Sequence, residues 1–210
     1  IYPELPYAMF GHSMGSMITR QFMAKYGEEL DAAVLCGTLG KFATAREVLP
    51  RIQAACDEGK AHESDTVFIN DLLGWMFDRC DEGVQLGDEW ICHDPYVQKD
   101  HAEDPFDAFV HPCHTISLKF FVEMMIDIEG EEWAKKVPAD LPIYIIGGDQ
   151  DPVGNYGTGM YMCANWLIDT GHKDVITNLY SGYRHEIHNY DDIKEDVEAG
   201  IVAFLDEFID

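Results

Sequence analysis

Positively charged residues are scarce in this sequence. It has 14 lysines and arginines against 39 aspartates and glutamates in 210 residues, which gives a formal net charge of −25 at neutral pH. A protein with such a negative field repels phosphate backbones and anionic membrane surfaces. The composition therefore argues against nucleic-acid partners, and it favours a soluble protein.

Long apolar runs and closely spaced cysteines are also lacking. No stretch approaches the roughly 18 apolar residues of a transmembrane helix, so the sequence predicts a protein that is not integral to a membrane. The six cysteines include no C-x-x-C pair, and their wide spacing favours free thiols in a reducing compartment. We therefore expect a cytoplasmic protein. Secretion stays open as the alternative, because the sequence begins at Ile1 and shows no true N-terminus.

The most informative stretch lies almost at the first residue. Residues 11–15 read Gly-His-Ser-Met-Gly, with an apolar run over 6–10 before them and helical apolar spacing over 16–26 after them. A strand, a sharp turn and a helix are the context in which Gly-x-Ser-x-Gly presents a serine hydroxyl at the end of a sheet. Gly11 and Gly15 lack a Cβ, which would let the strand and the helix approach each other. A chance match in a loop would not explain these flanking patterns.

Two later turns offer partners for this serine. A serine hydroxyl needs a base to become nucleophilic, and the base needs an acid that orients it. The apolar run 142–148 leads into Asp149 and Asp151, and the run 174–180 leads into a turn that contains His185. Both turns follow the carboxyl ends of predicted parallel strands, where open α/β sheets place their sites. The sequence thus predicts a serine, a carboxylate and a histidine at one sheet edge.

These segments together resemble the α/β-hydrolase superfamily, and more narrowly its serine aminopeptidase S33, monoacylglycerol lipase and lysophospholipase group. The matching pieces are Gly-His-Ser-Met-Gly-Ser, Gly-Asp-Gln-Asp-Pro-Val-Gly and Tyr-Ser-Gly-Tyr-Arg-His-Glu, and residues 89–94 are similar to the lid of bacterial members. The resemblance implies Ser13 as nucleophile, Asp151 as acid and His185 as base. It also implies the backbone N–H of Met14 as one oxyanion donor.

The resemblance further implies a serine hydrolase that cleaves carboxylic esters with an apolar acyl chain, such as monoacylglycerols or lysophospholipids, through an acyl-enzyme on Ser13. Such a reaction requires no metal and no organic cofactor. Two alternatives stay open: an aminopeptidase or amidase of the same fold, and a non-catalytic or inactive fragment. The pattern departs after the base, because a Glu is expected near Tyr190 and an apolar residue at position 188, where this sequence has His188.

The expected architecture is an α/β-hydrolase fold, a mostly parallel sheet flanked by helices, with a helical lid inserted. Residues 1–40 would form the elbow part of the core, 41–138 the lid, and 139–210 the part of the core that carries acid and base. In the resembled fold, four strands and two helices precede the elbow, and this sequence lacks them. The first strand would then be an apolar sheet edge, and the second oxyanion donor would lie elsewhere. We therefore expect another segment or a second chain to complete the sheet, with a homo-oligomer as the next solution.

Helical patterns fill the predicted lid over 43–56, 66–79 and 115–128, with 93–95 as a loop between them. Its abundant Met and Phe residues mostly indicate helix packing, and some are expected to line an acyl-chain tunnel. The sequence does not identify which of them contact substrate. A further helix is predicted over 155–170.

The remaining candidate groups carry weaker signals. Asp149 is expected to hydrogen-bond its own turn, His12 to be structural, and Cys36 to be a small core residue. Residues 185–188 read His-Glu-Ile-His, which is not His-Glu-x-x-His and does not predict a zinc site. Residues 111–114, with two histidines and a cysteine, are interpreted as a lid loop because no further ligands cluster with them.

Overall fold

The fold is given by a computed structural model, which describes residues 4–74, 79, 89–106 and 113–209. The strands are β1 (Ala8–His12), β2 (Ala32–Cys36), β3 (Ile143–Gly148) and β4 (Val175–Tyr180). The helices are α1 (Met14–Tyr26), α2 (Ala43–Ala55), α3 (Thr66–Leu73), α4 (Pro95–Glu103), α5 (Thr115–Asp127), α6 (Glu131–Ala134), α7 (Thr158–Asp169) and α8 (Lys194–Phe208). Within the described ranges, no helix is long and apolar enough to cross a membrane.

The four strands form one parallel sheet in the order β1-β2-β3-β4. Its register places Phe10 opposite Val34, Val34 opposite Tyr144, and Tyr144 opposite Ile176. Because the strands are parallel, their carboxyl ends share one edge of the sheet. The turns that follow β1, β3 and β4 therefore meet there, and these are the turns that carry the predicted site residues.

Both central strands are buried along their whole length. Helices cover the two faces of the sheet, which explains why these strands are continuous apolar runs rather than alternating ones. On one face, Leu35 and Ile145 belong to the larger hydrophobic core, which also includes residues of α1, α2, α5 and α7. On the other face, Val34 and Ile146 belong to a second cluster that includes Phe204 of α8.

The helical insertion between β2 and β3 is anchored to α1 by Arg20. This side chain is fully buried. Its Nη1 donates to the carbonyl of Leu39 at 2.6 Å, and its Nη2 donates to the carbonyl of Ile128. The guanidinium also lies 4.3 Å from the ring centroid of Trp133. Leu39 and Ile128 stand near the two ends of the insertion, so a single side chain holds both ends.

The helices differ from the sequence prediction in two places. Residues 93–95, predicted as a loop, lead into α4, where Asp94 Oδ1 accepts a hydrogen bond from Tyr96 N at 2.8 Å; an N-cap Asp followed by Pro is a helix start signal. Helix α7 begins at Thr158 rather than at 155, because Asn155 and Tyr156 adopt positive φ angles of 46° and 54°. The predicted helix over 66–79 is seen to Leu73, and its continuation over 75–78 lies outside the described residues.

Candidate active site

Ser13 occupies a strained turn between β1 and α1. Its backbone adopts φ 55° and ψ −122°, a conformation that a non-glycine residue keeps only when its surroundings enforce it. Its N–H donates to the carbonyl of Cys36 at 3.0 Å, and its own carbonyl accepts from Ser16 Oγ at 2.6 Å. The turn is therefore fixed to the end of β2 on one side and to the first turn of α1 on the other.

Gly11 explains how closely the strand and the helix approach. A Cβ at this position would overlap Thr19 Oγ1 and the carbonyl of Gly15. The prediction for Gly11 is therefore confirmed. The same prediction for Gly15 is wrong, because a Cβ there would meet nothing within 4 Å. Gly15 contacts the strand through its backbone carbonyl, so the absence of a side chain at Gly15 is not what permits the approach.

Asp151 and His185 are in direct contact. His185 Nδ1 lies 2.9 Å from Asp151 Oδ2, and both side chains are buried. The other carboxylate oxygen of Asp151 accepts from the backbone N–H of Val153 at 2.8 Å. A hydrogen bond from Nδ1–H to this carboxylate leaves the lone pair on His185 Nε2, which is the nitrogen that a general base needs.

The turn after β2 lies between this pair and the serine turn. Gly37 has φ +57°, and a Cβ there would lie 2.9 Å from His185 Cε1 and 3.4 Å from Asp151 Oδ2. The residue before it, Cys36, supplies the carbonyl that binds Ser13 N. Within the described chain, however, His185 Nε2 is buried without a hydrogen-bond partner. The structure therefore joins the predicted acid to the base and places the serine turn beside them, without a hydrogen bond between Ser13 and His185.

Met14 opens α1, where the first N–H groups of a helix have no intrahelical acceptor. Its side chain is 53% exposed. It lines a cavity of about 460 Å³ together with Phe120, Phe121 and Met124 of α5. Met14, the residue of the candidate oxyanion donor, thus borders a cavity that the helical insertion helps to form.

Asp149, the competing carboxylate, is engaged elsewhere. Its carboxylate accepts from Ser181 Oγ at 2.8 Å and from Gly182 N at 2.7 Å. Burial acts to raise the pKa of Asp149, but the hydrogen bonds from Gly182 and Ser181 outweigh it and lower the pKa below its usual value. The hydrogen bond from Gln150 Nε2 at 3.2 Å lies within its own turn, as predicted, whereas those from Ser181 and Gly182 tie the end of β3 to the turn after β4.

Residues 89–91 of the insertion pack against His185, the predicted base, and the loop that carries it. Arg184, which is buried, donates from Nη1 to the carbonyl of Glu89, and Glu186 N donates to the carbonyl of Ile91 at 2.9 Å. These contacts place the ring of Trp90 with its centroid 5.1 Å from that of His185. Sequence reasoning found this segment through its likeness to a lid, but it gave Trp90 no role.

The resemblance predicts a Glu near position 190, which is occupied by Tyr190 in this chain. Its hydroxyl accepts hydrogen bonds from His93 N at 2.8 Å and from Arg184 N at 3.2 Å, and burial raises the pKa of this phenol. A neutral hydroxyl thus accepts backbone hydrogen bonds from both the insertion and the loop of the base.

One group of possible metal ligands lies next to the base. One ligand atom each from His12, Cys36 and His188 lies within 4.8 Å of the other two. The ring of His12 has its centroid 4.6 Å from that of His188 and also 4.6 Å from that of His185. Sequence reasoning missed this cluster, because its members come from three separate segments.

Comparison with known proteins gives a family and a fold. The sequence model of a family described as serine aminopeptidase, S33, matches residues 1–192. A highly thermostable carboxyl esterase from Bacillus coagulans, solved in complex with glycerol, is 50% identical at a TM-score of 0.95, over 100% of this chain and 67% of that one. A lipase in its open form is 30% identical at a TM-score of 0.86, over 99% of this chain and 66% of that one.

A monoacylglycerol lipase from Paleococcus ferrophilus shows likeness of fold alone, at 19% identity and a TM-score of 0.65 over 96% of this chain and 68% of that one. The chain thus spans about two thirds of the length of the solved relatives named here. Comparison with curated proteins finds no match. The structural likenesses confirm the predicted α/β-hydrolase fold.

Proposed function

Since the chain belongs to the serine aminopeptidase S33 family, we propose that it is a serine hydrolase that cleaves carboxylic esters with an apolar acyl chain. The observation that carries the proposal is the buried 2.9 Å contact between Asp151 Oδ2 and His185 Nδ1, which lies beside the strained turn of Ser13. A buried carboxylate that orients an imidazole next to such a turn is the arrangement that activates a serine nucleophile.

In this reaction Ser13 Oγ attacks the ester carbonyl carbon, and its proton moves to His185 Nε2. Asp151 stabilises the imidazolium that forms. The negative charge that develops on the carbonyl oxygen is stabilised by the N–H of Met14, which acts with a second donor. His185 then returns the proton to the leaving alcohol, and a water molecule that it activates releases the acid from Ser13.

The cavity beside Met14 supports an apolar acyl group as the substrate feature. Phe120, Phe121 and Met124 give it an apolar wall, and methionine and phenylalanine adapt readily to alkyl chains. The 50% identity to a carboxyl esterase and the 30% identity to a lipase agree with an ester rather than an amide as the scissile group.

An aminopeptidase or amidase activity is the second candidate. The same cavity is lined by the carboxylates of Glu123 and Asp127, and a carboxylate can hold the free ammonium of an aminoacyl substrate. Glu123 already pairs with Lys119 at 2.6 Å, which leaves Asp127 as the anchor. A comparison of p-nitrophenyl esters with aminoacyl p-nitroanilides separates the two activities, and we expect the esters to be cleaved faster.

Covalent labelling tests the proposed nucleophile. A fluorophosphonate probe should modify the protein once, and peptide mapping should place the adduct on Ser13. Ser13→Ala should abolish labelling and ester hydrolysis, whereas Ser181→Ala, at an exposed serine on the loop of the base, should be labelled like the unaltered protein. An adduct on another residue, or labelling that persists in Ser13→Ala, would refute the proposal.

A further inference from the structure

We propose that His12, Cys36 and His188 form a binding site for a divalent transition metal of the zinc class, directly beside His185. The site goes beyond the proposed ester hydrolysis, which needs no metal. It consists of two imidazoles and one thiol, a donor set that suits zinc because this ion prefers nitrogen and sulfur ligands.

The three side chains meet because of the sheet. His12 and Cys36 are directly paired at the ends of β1 and β2, and His188 follows on the short helical turn Ile187–Asn189. One ligand atom from each lies within 4.8 Å of the others. Zinc bonds of about 2.0–2.3 Å place tetrahedral ligands roughly 3.5 Å apart, so small side-chain rotations would close the site around an ion.

The thiol of Cys36 is fully buried. Binding therefore involves an exchange: the S–H bond breaks, its proton leaves to solvent, and a zinc–thiolate bond forms without any oxidation. The carboxylates of Asp151 and Glu186 act on Cys36 electrostatically, and their negative potential favours the incoming cation.

An unpaired polar atom points to a ligand at this place. His188 Nδ1 is buried and has no hydrogen-bond partner among the described residues. Leaving a buried nitrogen unpaired destabilises the folded state, and a bound ion or its coordinated water would remove that cost. The proposed hydrolysis assigns no role to His188.

Cobalt and zinc titrations test the site. The protein is treated with EDTA, exchanged into metal-free buffer and titrated with Co²⁺, whose bond to a thiolate gives a charge-transfer band in the near ultraviolet. We expect one Co²⁺ per chain, displaced by Zn²⁺. His188→Leu, which removes the imidazole and keeps Cys36, should weaken binding about 100-fold or more, since even outer-shell changes cost 10–100-fold. Cys36→Ser should remove the band.

Cys113→Ser is the matched control, because Cys113 is an exposed cysteine away from the cluster; it should bind Co²⁺ like the unaltered protein. The proposal is overturned if the unaltered protein shows no thiolate–cobalt band, if the band survives Cys36→Ser, or if His188→Leu binds with unchanged affinity. Circular dichroism of each variant shows that the loss of the band does not come from unfolding.

A bound ion would also oppose catalysis. The ring of His12 lies 4.6 Å from that of His185, so the charge of the ion would disfavour the imidazolium that ester cleavage requires. This consequence rests on the proposed function. Zinc should slow ester hydrolysis, and EDTA should restore the rate. In His188→Leu, the rate with zinc should stay close to the rate of the same variant without zinc. If zinc binds but does not slow hydrolysis, the inhibitory role is refuted. If the zinc-free protein hydrolyses no ester, the proposed function is refuted, but the metal site is not.

Discussion

The carboxylate of Asp151 lies 2.9 Å from Nδ1 of His185, in a place where the two side chains are 0% and 2% exposed. This contact exists because β3 and β4 are adjacent and parallel, so that the turns after them meet at one edge. A buried carboxylate without a partner would be costly. Here the imidazole and the N–H of Val153 occupy both oxygens.

Asp151→Asn should lower kcat for ester hydrolysis by roughly 10³–10⁴. The amide can present an N–H to Nδ1 and thereby favour the wrong tautomer of His185. Asp149→Asn is the matched control, because Asp149 binds Ser181 and Gly182 instead; its kcat should stay within a few-fold of the unaltered enzyme. Equal losses in the two variants would show that Asp151 has no special role.

Gly37→Ala should lower kcat at least about 10-fold, because its Cβ would lie 2.9 Å from His185 Cε1 and push the imidazole away from its position. The positive φ should also cost about 1–3 kcal/mol of unfolding free energy. Gly171→Ala separates the two effects, since Gly171 has φ +104° and open space around it. Urea unfolding should show a loss in both variants, and kinetics should show a loss of kcat only in Gly37→Ala.

Asp149 should contribute a pH-dependent part of the stability. Its pKa is lowered in the folded state from the usual 3.8, so the folded state favours the ionised form. The contribution is fully present above pH 3.8 and is lost as the pH falls through the folded pKa. Because the carboxylate is partly exposed and screened by solvent, we expect a contribution under about 1 kcal/mol. Urea midpoints of Asp149→Asn and the unaltered protein should differ at pH 7 and converge near pH 2; a constant difference would contradict the assignment.

Arg20→Met should lower the unfolding free energy by about 2–4 kcal/mol, because the carbonyls of Leu39 and Ile128 would lose their buried donor. Arg46→Met is the control. Arg46 pairs with Glu129, but its side chain is 55% exposed, so its loss should cost no more than about 1 kcal/mol. Denaturant unfolding of both variants measures the difference, and similar losses would show that the buried guanidinium is not an anchor.

Met124→Trp should shift the preference of the enzyme towards short acyl chains. The larger ring would fill part of the cavity of about 460 Å³ beside Met14. We expect kcat/KM for p-nitrophenyl octanoate to fall at least about 10-fold relative to acetate. Tyr161→Trp, at an exposed position on α7, should leave that ratio unchanged. A ratio that is equally unchanged in Met124→Trp would place the acyl chain elsewhere.

Much of the fold could be predicted from the sequence, because local signals and the sheet agree. Apolar runs marked β1, β3 and β4, and the Gly-x-Ser-x-Gly pattern marked the turn at Ser13. Because the carboxyl ends of parallel strands share one edge of the sheet, the sequence predicted that Asp151 and His185 lie close together. The predicted fold is confirmed, whereas the catalytic roles of Ser13, Asp151, His185 and Met14 stay predictions.

Other features could not be predicted because they depend on contacts between distant segments. The position of Trp90 against the base follows from backbone hydrogen bonds of Arg184 and Glu186 to the insertion, and no periodicity reports such bonds. The cluster of His12, Cys36 and His188 depends on strand register. The division into 1–40, 41–138 and 139–210, the lid role, the cytoplasmic location and a further segment or second chain that completes the sheet stay predictions as well.

The two carbonyls that Arg20 holds belong to Leu39 and Ile128, and almost all the helices between β2 and β3 lie between them. Both ends of this stretch are therefore bound by the same guanidinium. The strands β2 and β3 pair directly with each other and do not depend on the stretch for their pairing. Exchanging that stretch between relatives at these two positions would replace the α5 wall of the cavity beside Met14. It would leave the turns of Ser13, Asp151 and His185 in their own framework.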